Sequence, residues 1–260
     1  MQGASSYFDV AQVVLYAFWI FFALLVVYLL KENKREGYPL DSSRTTRSGG
    51  RVKVIGWPGL PAPKTFLLPH GGTVTVPNGS ADRRPVAAAP IAPYHGAPLE
   101  PTGAKPLLDC VGPGSYAERS DTVDLTYEGE PKIVPMRVAA DFSVARGWTP
   151  DPRGKPVFGA DDERAGIVRD LWVDRSECIL RYLEVEVPTG ADSRRVLLPA
   201  TFAVVDAKKV QVESILAAQF SDVPATKSPD QVTLLEEDRI TAYYGAGTLY
   251  ATRARREPFL

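Results

Sequence analysis

Arg181, Asp174 and Glu177 lie close together in the stretch DLWVDRSECILRYLEVEV, which is typical of a β-hairpin with a polar turn. Side-chain alternation in its second strand predicts two faces, with Ile179, Arg181, Leu183, Val185 and Val187 on one and Leu180, Tyr182, Glu184 and Glu186 on the other. Arg181 is then the charged member of an apolar face, and a buried guanidinium without a carboxylate is costly. Asp174 and Glu177, in the connecting turn, are therefore expected to lie within reach of Arg181.

This group of Arg181, Asp174 and Glu177 has two interpretations. An ordinary ion pair would hold the turn in place, and the pattern alone favours this structural role. Alternatively, carboxylates beside a cation form an acid cluster with shifted pKa values, which is suited to passing protons.

Further carboxylates cluster in two other parts of the sequence. They are Asp121, Asp124, Glu128 and Glu130 in one part, and Glu236, Glu237 and Asp238 in the other. Because charged runs are usually solvated faces of a fold, composition alone makes neither cluster a site.

The common signatures of an independent catalytic centre are absent from the sequence. There is no GxSxG, HExxH or GxxxxGK[ST] motif, and no GxGxxG follows a predicted strand. His70 and His95 are the two histidines, which excludes a histidine-rich metal site, and the acids of DPRGKPVFGADDE lack the spacing of a calcium loop. The net charge of −1 gives no electrostatic case for nucleic acid. We therefore expect a protein that is not an enzyme by itself and binds no nucleic acid.

A long apolar run near the N-terminus predicts a transmembrane helix. Residues 11–30 carry no charge, and thirteen of them are Leu, Ile, Val or Phe, which favours membrane insertion by roughly 4 to 8 kcal/mol. A cleavable signal peptide would need a positive start and a small-residue cleavage site, and a buried soluble helix would need a polar face. Neither alternative fits as well as a retained span over residues 11–31.

Charge asymmetry around this span predicts its orientation. No Lys or Arg precedes it, whereas residues 31–53 carry seven: Lys31, Lys34, Arg35, Arg44, Arg47, Arg51 and Lys53. The positive-inside rule therefore predicts that residues 1–10 are periplasmic and that the rest of the chain is cytoplasmic.

Three further regions follow the span. Residues 37–120 include 13 Pro and 12 Gly, a disorder-like content, yet VKVIGWPGLP, KTFLLP and GTVTVP are too apolar for a disordered linker. We predict an extended segment over 32–120 with short hairpins that lies on another surface; the alternative is a flexible linker. Short β-rich runs between residues 132 and 212 then predict a small antiparallel barrel or sandwich.

A C-terminal helix completes the predicted domain at 121–250, which leaves a tail at 251–260. The stretch SPDQ offers Ser228 as N-cap, Pro229 at the first helical position and Gln231 for a capping box. Gly245 is the predicted stop signal.

Several long blocks resemble the H subunit of the photosynthetic reaction centre of purple bacteria. They are KENKREGYPL, LPAPKTFLLPHGG, VGPGSYAERSD, IVPMRVAADFSVA, DPRGKPVFGAD, AGIVRDLWVDRSE, RYLEVEV, KSPDQVTLLEEDRI and YYGAGTLYA, in the same order and nearly end to end. The later part resembles the cytoplasmic PRC-barrel domain of that family. The resemblance implies an α+β membrane protein with one N-terminal transmembrane helix, an extended Pro/Gly-rich segment, a mostly antiparallel β-barrel and a C-terminal helix.

The resemblance also implies a function for the chain. It would cap the cytoplasmic face of the L and M subunits in the photosynthetic inner (intracytoplasmic) membrane. Bacteriochlorophyll, bacteriopheophytin, ubiquinone or menaquinone, and a non-haem iron would belong to the complex and not to this chain. A tetrahaem cytochrome subunit, light-harvesting antenna and membrane lipids are further implied partners.

Resemblance places three residues near the path that supplies protons to the secondary quinone. Glu177 would be the interior carboxylate, Asp174 its neighbour, and Arg181 a cation that favours their ionised forms. Some relatives carry a histidine pair at the surface entry, where this sequence has Glu128 and Glu130, close to Asp124. Because an unperturbed Glu titrates near 4.3 and His near 6.5, the entry chemistry differs here or the entry lies elsewhere. The alternative function is a membrane-tethered β-barrel adaptor with no role in electron transfer.

Overall fold

The computed structural model describes residues 9–48, 50–68, 71–79, 84–145, 150–190 and 192–256. The chain divides into two compact units, residues 1–83 and residues 84–260. The segment predicted at 32–120 is therefore shared between both units.

The first unit begins with an apolar helix. Helix α1 (Val10–Glu32) starts at Asp9, whose carboxylate accepts a hydrogen bond from the Ala11 N–H at 2.9 Å. The candidate span has a mean hydropathy of 2.7 and none of its apolar window is buried. At about 1.5 Å per residue its 23 residues reach about 35 Å, enough to cross the hydrocarbon core of a bilayer. The predicted helix is confirmed, with one more residue at each end.

Two hairpins follow α1 in the same unit. They are β1 (Leu40–Thr45) with β2 (Arg51–Val54), and β3 (Lys64–Leu67) with β4 (Thr73–Val76). The Lys34 ammonium, which is buried, donates to the carbonyls of Ile55 at 2.7 Å and Pro58 at 2.6 Å. Arg35 donates to the carbonyls of Ala62 and Val76 at 2.9 and 3.0 Å. Two cations directly after the helix thus hold the loops that follow.

The second unit contains one large sheet. After the hairpin of β5 (Ala88–Pro90) and β6 (Leu99–Pro101), seven strands form this sheet: β7 (Ile133–Pro135), β8 (Pro156–Phe158), β9 (Arg164–Asp174), β10 (Ile179–Thr189), β11 (Asp192–Pro199), β12 (Val204–Val205) and β13 (Val210–Gln211). Their order is β11–β10–β9–β8–β13–β12, and β7 also pairs with β9. Pairing is antiparallel except between β13 and β8. With helix α2 (Leu234–Tyr250), this architecture confirms the predicted fold class.

Strand β10 does not alternate as the sequence predicts. Its register shifts between Leu180 and Tyr182 and again between Glu184 and Val185, so alternation is interrupted twice. The four residues from Tyr182 to Val185 are all buried, which means that both faces of the strand are covered. The predicted division into an apolar and a polar face is therefore wrong for these residues.

Glu184, predicted on the polar face, is a buried carboxylate with three donors. The Trp172 indole N–H donates to it at 2.9 Å, Arg137 at 2.7 Å and Arg195 at 2.7 Å. Arg137 also donates to Asp170 at 2.9 Å and to the Pro229 carbonyl. Because a buried charge is tolerated when it is paired and hydrogen-bonded, this network explains how Glu184 lies inside the fold.

Helix α2 begins and ends later than predicted. Its N-cap is Thr233, whose hydroxyl accepts from the Glu236 N–H while the Glu236 carboxylate accepts from the Thr233 N–H. The sequence T-L-L-E is thus the capping box, and Ser228 instead accepts from the Asp230 N–H in the preceding loop. Gly245 lies inside the helix, where a Cβ would come within 2.7 Å of the Pro113 carbonyl oxygen. This glycine therefore permits close packing and is not the stop signal.

Gly247 provides a test of this close packing. A Cβ there would come within 2.3 Å of the Ser214 carbonyl oxygen, which is backbone and cannot rotate away. We expect Gly247→Ala to lower the free energy of unfolding by about 1 to 3 kcal/mol, as measured by urea denaturation of the full chain in mild detergent.

Helix propensity alone predicts the opposite sign, since Ala is favoured over Gly by about 1 kcal/mol inside a helix. Thr248→Ala, at the exposed neighbouring position, serves as the control and is expected to change stability by less than about 0.5 kcal/mol. A Gly247→Ala chain more stable than the parent would contradict the packing argument.

Candidate functional site

A cavity of about 580 Å³ lies in the second unit beside helix α2 and strand β10. Ionisable residues from separate parts of the chain line it: Arg119, Asp124, Lys132, Arg181, Tyr182, Glu237 and Asp238. Asp124, Glu237 and Asp238 supply carboxylates to its wall. Lys132 connects the cavity to two of the predicted site residues, Asp174 and Glu177.

Lys132 lies at the centre of three carboxylates. Its ammonium is 3.5 Å from Asp174, 3.7 Å from Asp124 and 3.7 Å from Glu177. Desolvation lowers the pKa of Lys132, but the three carboxylates outweigh this effect and raise it above its usual value. Lys132 is therefore a permanent cation at neutral pH, and it brings three of the predicted site residues together.

Burial differs strongly among these carboxylates. The Asp174 side chain is 1% exposed, and it accepts the N–H groups of Ser176 and Glu177 at 2.9 and 3.0 Å. Glu177, by contrast, is 56% exposed in this chain. Asp174 thus fixes the turn between β9 and β10, and Glu177 is the solvent-facing member of the pair.

Arg181 does not join Asp174 and Glu177 as predicted. Its guanidinium instead forms an ion pair with Glu237 of α2, with an N–O distance of 3.4 Å, and its side chain is 40% exposed. The register shift after Leu180 breaks the simple alternation on which the prediction rested. Among the described residues, the cation that holds Asp174 and Glu177 is Lys132, and Arg181 lies at another part of the cavity wall.

Glu237 is the buried carboxylate of this cavity. The Tyr182 hydroxyl donates to it at 2.9 Å, and its side chain is 10% exposed. Desolvation raises the pKa of Glu237, and the hydrogen bond from Tyr182 and the charges of Arg181 and Arg119 offset only part of this effect. Burial also raises the pKa of Tyr182, which therefore stays protonated and acts as a donor.

The two glutamates at the predicted proton entry lie in a turn before β7. Glu130 forms an ion pair with Arg175, which follows Asp174 directly in the chain, and Glu128 is exposed. Neither is among the described residues that line the cavity. Asp124 is the member of the predicted entry group that does reach the Lys132 cluster.

Sequence reasoning did not assign Lys132 or Tyr182 to the site, and it was wrong in treating Glu236 and Glu237 as part of a solvated face, because both are buried. A helical signal for Glu237 existed, because Ile240 and Tyr244 follow it by three and seven residues and place it on the buried face of α2. Lys132 had no such signal, since Asp174 and Glu177 come from a distant part of the sequence.

Two family models match the chain. Residues 3–138 match the model described as photosynthetic reaction centre, H-chain N-terminal region, and residues 149–219 match the PRC-barrel domain. The first match covers more than half of the 260 residues.

The chain belongs to the reaction centre H-chain family.

Membership makes this H chain a subunit of a photosynthetic reaction centre, and the family implies association with the L and M subunits. The pigments and quinones of such a complex are implied by the family as well. Across the described ranges of this H chain, no group of three or more His, Cys, Asp and Glu side chains could hold a metal ion.

The raised pKa of Glu237 predicts a pH dependence of stability in this H chain. Folding raises the pKa above the ordinary value of 4.5, so the folded state binds the proton more tightly than the unfolded state. The resulting stabilisation is complete below 4.5 and is lost as pH rises through the folded pKa. Glu237→Gln is expected to remove this loss, so its stability relative to the parent should increase from about pH 4 to about pH 8.

Urea unfolding of the two chains over this pH range measures the difference. Asp238→Asn is the matched control, because Asp238 is the next residue on α2, is more exposed and pairs with Arg119 at 3.4 Å. A difference between Glu237→Gln and the parent that stays constant with pH would rule out the raised pKa.

Proposed function

We propose that this reaction-centre subunit caps the cytoplasmic face of the L and M subunits, stabilises the secondary quinone site and conducts protons to it. The observation that carries the proposal is the cluster around Lys132, where a buried Asp174 and an exposed Glu177 share one cation beside an open cavity. The ionisable groups of this cluster thus reach from the cavity, which Lys132 lines, to the surface of the chain, where Glu177 is exposed.

The chemistry of the quinone explains why such a path is needed. A quinone that is reduced twice takes up two protons, and a site open to bulk water would lose its preorganised surroundings. A covered site needs a proton path, and carboxylates within direct or water-bridged reach can supply one. A subunit that both covers the site and carries carboxylates meets both requirements.

Each residue has a proposed role in this path. Asp124 takes protons from the cavity, with Glu128 and Glu130 collecting them at the nearby surface. Asp174 passes them on to Glu177, whose exposure leaves it free to face the quinone-bearing subunits. Lys132 holds Asp124, Asp174 and Glu177 around one positive charge. Arg181 favours the ionised form of Glu237.

Charge and exposed apolar surface support the proposed location. The seven cations between residues 31 and 53 favour a cytoplasmic position for everything after the span and a periplasmic position for residues 1–10. In the first unit, Trp57 is 78% exposed and Leu67 is 85% exposed, which is typical of a surface that meets a partner. We propose that the segment 32–120 lies against L and M in the photosynthetic inner (intracytoplasmic) membrane.

The complex supplies the remaining components of the proposal. Bacteriochlorophyll, bacteriopheophytin, the quinones and the non-haem iron are held by the partner subunits. A tetrahaem cytochrome subunit, light-harvesting antenna and membrane lipids are further proposed partners.

Protease sensitivity tests the capping role. We expect trypsin to cleave slowly at Arg51, Lys53 and Lys64 in native photosynthetic membranes, because L and M would cover these residues. The matched control is the same full chain expressed in membranes without L and M, where cleavage is expected to be fast. Rapid cleavage in both membranes would overturn the proposed cap and would favour the tethered adaptor.

Flash-induced kinetics of the whole reaction centre test the proton path. We expect Glu177→Gln to slow the transfer of the second electron to the secondary quinone by at least about tenfold, because that step requires proton uptake. The initial charge separation should stay unchanged, since the pigments lie in other chains.

Glu213→Gln is the matched control for this experiment. Glu213 is an exposed acid that lines a different cavity, so its variant should keep the parent rate. An unchanged second-electron rate in Glu177→Gln from about pH 6 to about pH 9 would disprove the path and leave the capping role intact.

A further inference from the structure

A second cavity, of about 480 Å³, lies between helix α2 and the loops at residues 107–116 and 222–225. Its floor is apolar, because Leu107, Val223, Ala242 and Tyr243 are all buried. Its rim is open, since Leu108 and Ala225 are exposed. None of the proposed proton-transfer residues lines it.

Arg194 contributes one positive charge to this cavity. Its guanidinium donates to the carbonyls of Ser221 and Val223, each at 2.7 Å. Carbonyl oxygens orient a guanidinium but carry no net charge, so the cationic charge of Arg194 is not neutralised by these bonds. The side chain is therefore held rigidly while its charge stays available.

Arg239 contributes a second positive charge at the rim. Its guanidinium lies 5.7 Å from the ring centre of Tyr116. The Arg84 guanidinium lies 4.5 Å from the same ring centre. Within the part of the chain that the structure describes, Arg239 forms no ion pair. The nearby Asp121 is already bound by Lys227 and by the Thr233 hydroxyl.

Asp222 is the acid among the residues that line the cavity, and it is also already paired. Lys105 binds its carboxylate at 2.6 Å. The cavity thus combines two arginines without a carboxylate partner and an apolar floor. Such a combination matches a ligand that is anionic at one end and apolar along the rest.

We propose that this cavity binds an amphiphilic anion with one carboxylate or phosphate head and one apolar chain or ring. The head lies between Arg194 and Arg239, because guanidinium groups bind these anions through charge-assisted hydrogen bonds. The apolar chain of the ligand lies on Leu107, Val223 and Tyr243, and this contact removes the apolar surface of the ligand from water. The volume falls within the range of small-molecule sites and suits a single chain.

The two arginines require a negative charge on the ligand, and the apolar floor requires a hydrocarbon chain. Octanoate carries both the head and the chain and is expected to bind. Acetate lacks the chain, octanol lacks the charge and octylammonium reverses it, so all three are expected to bind more weakly. None of the proposed proton-transfer residues lines this cavity. A ligand that does not bind here would therefore leave the proposed function intact, and a failed test of the proton path would leave this binding site intact.

Photo-crosslinking locates the site on the full-length chain within its reaction centre, placed in nanodiscs of zwitterionic lipid. The probe is an octanoate with a diazirine near the end of its chain, and the labelled peptides are identified by mass spectrometry. We expect labelling in the loops at 107–116 and 222–225 that is saturable and is displaced by octanoate but not by octanol or octylammonium.

Competition also separates two sources of the same chemistry. Displacement by octanoate and by octyl phosphate, but not by the two-chain dihexanoylphosphatidylglycerol, identifies a free single-chain anion. Displacement by the two-chain lipid alone would overturn the single-chain proposal and identify a lipid headgroup.

Arg239→Gln is the informative variant, because this side chain is exposed and forms no ion pair within the described residues. We expect it to reduce labelling roughly fivefold at subsaturating probe. Arg119→Gln removes the same charge from the wall of the other cavity and should leave labelling unchanged. Equal labelling by a diazirine octylamine, or labelling that never saturates, would overturn the proposal.

Discussion

The site of this H chain depends on one ammonium group. Lys132 holds Asp124, Asp174 and Glu177 within 3.7 Å, although these residues come from a loop, a strand end and a turn. Its backbone contributes as well, since its N–H donates to the Asp124 carbonyl at 2.8 Å and its carbonyl accepts from the Arg175 N–H at 2.9 Å. Three like charges this close would repel one another without a central cation. Lys132 therefore allows the three carboxylates to share one place in the fold.

Elsewhere the sheet buries charge by a different arrangement. The Glu184 side chain is buried, and both of its carboxylate oxygens accept hydrogen bonds. Arg195 donates to Oε1, and Arg137 and the Trp172 indole N–H donate to Oε2. This network is closed, because its carboxylate is surrounded by strong donors. The Lys132 group is looser, with distances of 3.5 Å and more and with Glu177 largely exposed. The contrast separates a closely bonded charge cluster that stabilises the fold from a looser one, to which the proposed function assigns proton transfer.

The sequence predicts those features that depend on local pattern or on long unbroken blocks. The apolar run predicts α1, and the β-rich runs predict the sheet. The Pro and Gly content, together with short apolar runs, predicts the segment with hairpins that follows α1. Asp124, Asp174 and Glu177 were also predicted as site residues, and the structure brings them together around Lys132. The pairing of Arg181 was not predictable, because two register shifts in β10 depend on the neighbouring strands. Lys132 and Glu237 become site residues only when α2 and the loop before β7 fold beside β10.

The residues that follow α1 act at two stages in the life of the chain. Lys34 and Arg35 belong to the cations on which the proposed orientation rests. In the folded protein they bind carbonyls of Ile55, Pro58, Ala62 and Val76, which the ribosome adds later than the span itself. During synthesis the two charges are still unengaged, and in the proposed orientation they would retain their flank of the helix in the cytoplasm. Once these later residues fold, the same two side chains donate hydrogen bonds to them. Residues on which the proposed orientation rests therefore also stabilise the folded first unit.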